Sequence, residues 1–282
     1  MSRRILGAVL ASCALLAACG GDKTPGEKAL GQAQSHLADV HSGTLSMTFL
    51  ASTAAAPAGQ GLGFSLRGPF AVASKKGTLP VARLEYTRIT GSRRRTTAFI
   101  STGAAAFVEL DGVTYRLTPA QVADLRATDE GGGGLDGLAL EDWIDSPRVT
   151  SAGTRDGVAV QRISGRVDAV KAFNGVVGLA HDYGASSADA PAPLEGAGAD
   201  RVRAAVRSSQ VEALVGRDDH LLRSFGLVIE LAPGSQQRLR SALGRFTGVR
   251  LRFDIGVARP NTRVTVRPPT HARPASEIPQ EG

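Results

Sequence analysis

The chain has 282 residues with 33 Lys and Arg against 26 Asp and Glu, a formal charge of +7, and its length admits one large domain or two small ones. Its two cysteines, Cys13 and Cys19, both fall within the first 19 residues, so the remainder has no material for a disulfide framework, a thiolate zinc site or a Cys nucleophile. Aromatic residues make up 5%, which denies the arginines a stacking platform and excludes nucleic acid as a partner class.

Arg3 and Arg4 precede an apolar run over residues 5–16, and small residues follow it. That order describes a secretory leader. The run is too short for the ~20 residues of a spanning helix, which disfavours an uncleaved transmembrane anchor. The order Leu16-Ala17-Ala18-Cys19 resembles the bacterial lipobox. The resemblance implies that residues 1–18 are a lipoprotein signal peptide and that Cys19 becomes the acylated first residue of the mature chain. Residues 19–26, with Gly20, Gly21, Pro25 and Gly26, read as a flexible tether, so the protein is expected at the extracytoplasmic face of the cell membrane. Loss of the leader leaves 31 basic and 26 acidic residues, about +5. Anionic headgroups are a partner this charge fits, beside plain solvation.

Helical spacing of Leu30, Ala33, Leu37 and Val40 predicts a first helix over residues 27–41, stopped by Gly43. The period then becomes two in Leu45, Met47 and Phe49, and again in Leu62, Phe64, Leu66, Phe70 and Val72, as in a long antiparallel pair. Residues 79–90 and 96–100 read as further strands, with Arg93-Arg94-Arg95 at the turn between them. Asp111-Gly112 sits in a hairpin over residues 107–117 and suits a type I′ turn. Thr118 and Pro119 then open a short helix as N-cap and first position, ending near Ala127. Residues 131–134 are a glycine loop without the Gly-Lys-Ser/Thr of a P-loop. Residues 138–144 suggest a helical turn carrying Trp143, read as a packing residue.

A second hairpin spans residues 148–154 and 158–167 around Asp156-Gly157, and Asp168 can cap a helix bearing Val170, Phe173, Val177 and Leu179. Gly175 weakens that helix. Residues 184–198 read as a long loop inside one domain, followed by a helix over residues 200–208. Val211, Ala213 and Val215 lead into the polar turn Gly216 to His220. The last strands carry Leu221, Phe225, Leu227, Ile229 and Leu231, interrupted by Arg223, then Val249, Leu251, Phe253, Ile255 and Val257. Arg250, Arg252 and Asp254 mark the wet face of this sheet. Beyond Arg259-Pro260 the chain is expected to fray, and residues 269–282 form a disordered tail.

Leader, first helix, about eleven antiparallel strands and helices between strand groups are together similar to the LppX/LprG-type actinobacterial lipoproteins. Val211 to Arg223 and Gly43 to Thr48 are the segments that look most like theirs. The resemblance implies an α+β fold, a strongly curved antiparallel sheet of the LolA-like half-barrel kind with helices over its concave face, across residues 27–268. It implies a lipid or other long apolar ligand between sheet and helices, and a membrane transporter as a further partner. The apolar face itself leads to the same place, because a concave apolar sheet needs a cover. A tight cover makes an ordinary core and a loose one leaves a ligand cavity. Phe49, Phe64, Leu66, Phe107, Tyr115, Phe173, Phe225, Leu227, Leu251 and Phe253 are the ligand candidates. Leu45, Met47, Ile229 and Ile255 belong to the same lining.

The five histidines show no His-Glu-x-x-His spacing and no Gly-x-Ser-x-Gly elbow occurs. His36 and His41 are off the helical spacing for shared ligation, and His181-Asp182 and Asp218-Asp219-His220 read as polar loops. No nucleophile, base and orienting group assemble, so neither an enzyme, a bound metal nor a cofactor is expected. A structural or partner-binding envelope lipoprotein with a closed core is the alternative.

Overall fold

A computed structural model describes residues 23–53, 56–57, 59–73, 75, 77–128, 138–182, 192–232 and 248–279. The expected leader, Cys19, the expected glycine loop at residues 131–134 and most of the expected loop at residues 184–198 lie outside them. Twelve strands form one open sheet in a half-barrel-like α+β arrangement, in the order β12-β6-β5-β4-β3-β2-β1-β11-β10-β9-β8-β7. One meander holds β1 (Ser42–Thr53), β2 (Gly61–Ala71), β3 (Val81–Gly91), β4 (Arg93–Thr102), β5 (Ala106–Leu110) and β6 (Val113–Arg116). The other holds β7 (Ile144–Arg155), β8 (Val158–Val167), β9 (Val206–Gly216), β10 (Leu222–Leu231) and β11 (Val249–Ala258). The antiparallel pair β1 with β11, in which Met47 faces Ile255 and Phe49 faces Phe253, joins the two.

Both Asp-Gly hairpins form as the sequence predicts. Asp111 and Gly112 have φ of 49° and 79°, Asp156 and Gly157 have 52° and 80°, the left-handed pair that a type I′ turn requires. The arginine run departs from expectation: Arg93, Arg94 and Arg95 pair with Thr90, Ile89 and Arg88 inside the β3–β4 ladder. Only Ser92 is left at the turn. β3 and β4 are full strands of 11 and 10 residues.

Among the described residues five helices accompany the sheet: α1 (Pro25–Ser35), α2 (Pro119–Thr128), α3 (Leu140–Trp143), α4 (Ala169–Asp182) and α5 (Gly196–Ala205). α1 is shorter than its periodicity suggests and begins inside the expected tether. Thr24 accepts from the Glu27 amide while the Glu27 carboxylate accepts from the Thr24 amide, a capping box that fixes the start. Past Ser35 the amides of Leu37, Asp39 and Val40 bond three residues back, so the chain tightens yet keeps Leu37 and Val40 buried. Thr118 and Gln121 cap α2 reciprocally, and Asp168 accepts from the amides of Val170 and Lys171 at the start of α4. α5 starts and stops earlier than the expected helix over residues 200–208, because Val206 already enters β9.

α1 packs on β7 and β8, α3 on α1 and β7, and α4 on α3 and α5. This group covers the half of the sheet built from β7 to β11. α2 sits at the other end, where Val122 meets Leu79, Ala106 and half-buried Phe99. The expected frayed tail is instead tied down over its described part. Asn261 bonds Ser42, His41 and Asp39, and β12 (Arg273–Pro274) runs parallel to β6, opposite Tyr115 and Arg116. Among the described residues no helix is long and apolar enough to cross a bilayer.

Candidate functional site

Strand register assigns every side chain to one of two faces. Met47 lies between Ile255 on β11 and Leu66 on β2; Leu66 faces Tyr86, and Ile255 faces Phe225, which faces Ala213, which faces Ile163. This row is the inner face, on which the helices lie. A parallel row runs Leu227, Phe253, Phe49, Phe64 and Arg88. The alternating apolar residues are therefore brought together as the sequence predicts, but coverage divides them in two.

Under the helices the packing is closed. Phe225 and Phe253 are 1% and 2% exposed, and Leu45, Met47, Leu227, Ile229 and Ile255 are buried with them. Trp143, 1% exposed, meets Phe225 edge-on at 5.9 Å, and Phe225 meets Phe253 at 6.3 Å. A Cβ at Gly175 would fall 2.2 Å from Trp143 Cζ2, so this glycine is where α4 makes room for the indole. Three of the ligand candidates, Phe225, Leu227 and Phe253, are thus core.

Over β1, β2 and β3 the inner face is only partly covered by described residues. Phe49, Phe64, Leu66 and Leu251 are half-buried at the margin of the core. Leu62 and Tyr86 are 62% and 43% exposed. Phe64 bridges Phe49 at 6.1 Å and Tyr86 at 5.8 Å, the second pair nearly parallel. The result is an apolar stripe whose next positions along β3 and β4 are Arg88 and Arg95. Leu62 and Tyr86 are the residues that sequence reasoning left out of the site. Their alternation within β2 and β3 was the available signal, and it needed the register to count.

Three candidates sit elsewhere. Phe107 pairs with Ile100 and Arg116 and lies on the opposite, outer face. It is buried there and separate from Phe64 and Leu66. Tyr115 faces Val108 on the inner side, buried at the β6 end. Phe173 is half-buried on α4.

The outer face of the second meander is polar and laddered by ion pairs: Arg162 with Glu212 at 3.1 Å, Arg250 with Glu230 at 2.7 Å and Arg252 with Asp254 at 2.5 Å. Hydrogen bonding from Arg250, then from Ser208, holds the Glu230 carboxyl below its usual range, and Asp254 raises the Arg252 guanidinium. Arg223, expected only to interrupt an apolar alternation, is 2% exposed and bound to Asp219. It sits at an irregularity where β10 slips against β9 between Leu222 and Ser224. That slip lets Leu222 and Phe225 both be buried although they are three residues apart. Among the described residues no three His, Asp or Glu side chains gather as metal ligands would.

These features define an open α+β half-barrel with helices on one face and an apolar stripe beside a filled core. No protein-family model matches the chain, and no curated protein does. Among solved structures it is similar to LprF from Mycobacterium bovis, at 14% identity over 86% of this chain and 96% of that one, with a TM-score of 0.44. It is also similar to the Mycobacterium tuberculosis lipoprotein LppX, at 14% identity over 85% and 98% of the two chains, with a TM-score of 0.39.

Proposed function

We propose that this chain is an extracytoplasmic lipoprotein, anchored through Cys19, that carries a long apolar ligand on its inner face without catalysing a reaction. The observation that carries the reading is the stripe of Phe49, Leu62, Phe64, Leu66 and Tyr86, which runs out of a closed core with its apolar area half uncovered among the described residues. Contiguous exposed apolar area marks an interaction site more often than it marks ordinary surface. Burial of an alkyl chain gains about 0.8 kcal/mol per CH₂, so a chain of some sixteen carbons offers roughly 12 kcal/mol before ordering costs. The Leu16-Ala17-Ala18-Cys19 order supports the anchor, and a carrier so placed implies a membrane transporter that loads or unloads it.

Native mass spectrometry with organic extraction of the purified full chain, followed by titration with a fluorescent fatty-acyl probe, tests the reading. Saturable probe binding should be lost in Phe64→Asp, which places a charge in the stripe, while the fold persists because Phe64 is only half-buried. Absence of co-purified lipid together with unsaturable probe binding would favour the second reading, a partner-binding lipoprotein with a closed core. The complete burial of Trp143, Phe225 and Phe253 favours that alternative. Acylation is tested apart from ligand: mass spectrometry of the membrane-bound protein should find a modified Cys19 at the N-terminus, and Cys19→Ala should release the chain or leave an uncleaved precursor.

A further inference from the structure

The outer face of the second meander carries a trough of about 1030 Å³. Its floor is made of small residues on neighbouring strands: Ser46 on β1, Gly256 on β11, and Ser224 and Gly226 on β10. Glycine in a strand interior weakens the strand and often marks close approach of a ligand. Arg252 and Asp254 on β11 satisfy one another, and Glu212 on β9 is held by Arg162. Three lining arginines remain with no carboxylate partner among the described residues. Arg148 on β7 and Arg166 on β8 are exposed, and half-buried Arg155 donates to the Ser224 hydroxyl at 3.0 Å. Asp145 stands opposite Arg166 in the ladder but forms no ion pair with it.

Three of the trough's lining residues, Ser146, Arg148 and Arg155, lie on the edge strand β7, and α1 packs at that same edge. Gly26 is pressed so closely on the Pro147 carbonyl that a Cβ would lie 1.9 Å from its oxygen, and Ser146 and Arg148, which flank Pro147, both line the trough. Cys19 precedes Gly26 by seven residues, a reach of at most about 25 Å. We propose that this trough seats the phosphate of an anionic phospholipid headgroup in the membrane that holds the anchor, so that the protein lies with its β7 edge against the bilayer. The orientation rests on the Cys19 reading, whereas headgroup binding at the arginines does not. Arg148 pairs with Ser164, two residues from Arg166 on the neighbouring strand, so these two guanidiniums with the Ser164 hydroxyl supply the charge-assisted donors that a phosphate takes.

The test uses the full chain with Cys19→Ala, so that acylation plays no part, and nanodiscs of phosphatidylcholine with or without about one third phosphatidylglycerol. The chain should prefer the anionic discs, and the preference should fall as salt approaches about 0.5 M. Arg148→Glu with Arg166→Glu should weaken binding to anionic discs by about tenfold or more while leaving neutral discs unaffected. Arg148→Lys with Arg166→Lys should retain most of the preference and shows that the ladder tolerates change at these positions. The leader is common to all variants, so any contribution from Arg3 and Arg4 cancels. A preference unchanged by the double reversal, or no preference at all, would overturn the proposal. So would saturable uptake of inorganic phosphate that leaves the disc preference intact. Failure of the acyl-probe titration would leave this result untouched, since that stripe is on the other face of the sheet.

Discussion

Gly175 sets helix propensity against packing. Alanine is the better helix former by about 1 kcal/mol, yet its Cβ would intrude on the Trp143 indole at 2.2 Å, and overfilling a packed site costs about 1–3 kcal/mol. Gly175→Ala should therefore lower stability by about 1 kcal/mol in chemical denaturation; a gain would mean that the indole shifts freely. Glu27 gives a residue-level pH dependence. Its hydrogen bond from the Thr24 backbone, then that from the Thr24 side chain, holds its carboxyl below the ordinary range. A carboxyl whose pKa is lower folded than unfolded adds stability above its unfolded pKa, and that gain fades as pH falls through the folded value. Glu27→Gln should thus narrow the gap in denaturation midpoint between about pH 7 and about pH 3, measured against the parent chain.

At the level of elements, local chemistry was legible wherever a single residue type decides the backbone. Asp111-Gly112, Asp156-Gly157, Thr118 and Asp168 each do in the structure what their sequence positions suggest. Asp168→Ala should accordingly cost about 1 kcal/mol, as lost caps do, read as a shift in denaturation midpoint with an unchanged slope. Where two local signals compete, partners elsewhere in the chain decide. Arg93 to Arg95 resemble a solvated turn, but the ladder with residues 88–90 extends through them. Ala106, Phe107 and Val108 are all apolar, so alternation alone leaves the facing of Phe107 open until its pairing with Ile100 settles it. The inner-face residues could be read from period two. Their division into core and stripe could not, because it depends on where α1, α3 and α4 come to rest.

For the molecule as a whole, one continuous sheet spans both sides of the Ala/Pro-rich loop, and β1 pairs with β11 along ten residues. A single thermal transition is expected, indifferent to chelator and to reductant, since no thiol remains after Cys19. Proteolysis within residues 184–198 that released two separately stable halves would contradict it. The joint between the meanders also has a consequence in time. Every other antiparallel neighbour in the sheet is close in sequence or within its own meander, whereas Thr44 finds Ala258 only after more than two hundred residues have followed it. A chain that emerges N-terminus first, from the ribosome or by the proposed export, therefore presents β1 with one edge unpaired until almost all of it has emerged. That edge alternates Leu45, Met47 and Phe49, a combination prone to pair with any passing strand. The proposed export would thus call for a holding chaperone or for crossing faster than neighbouring chains meet.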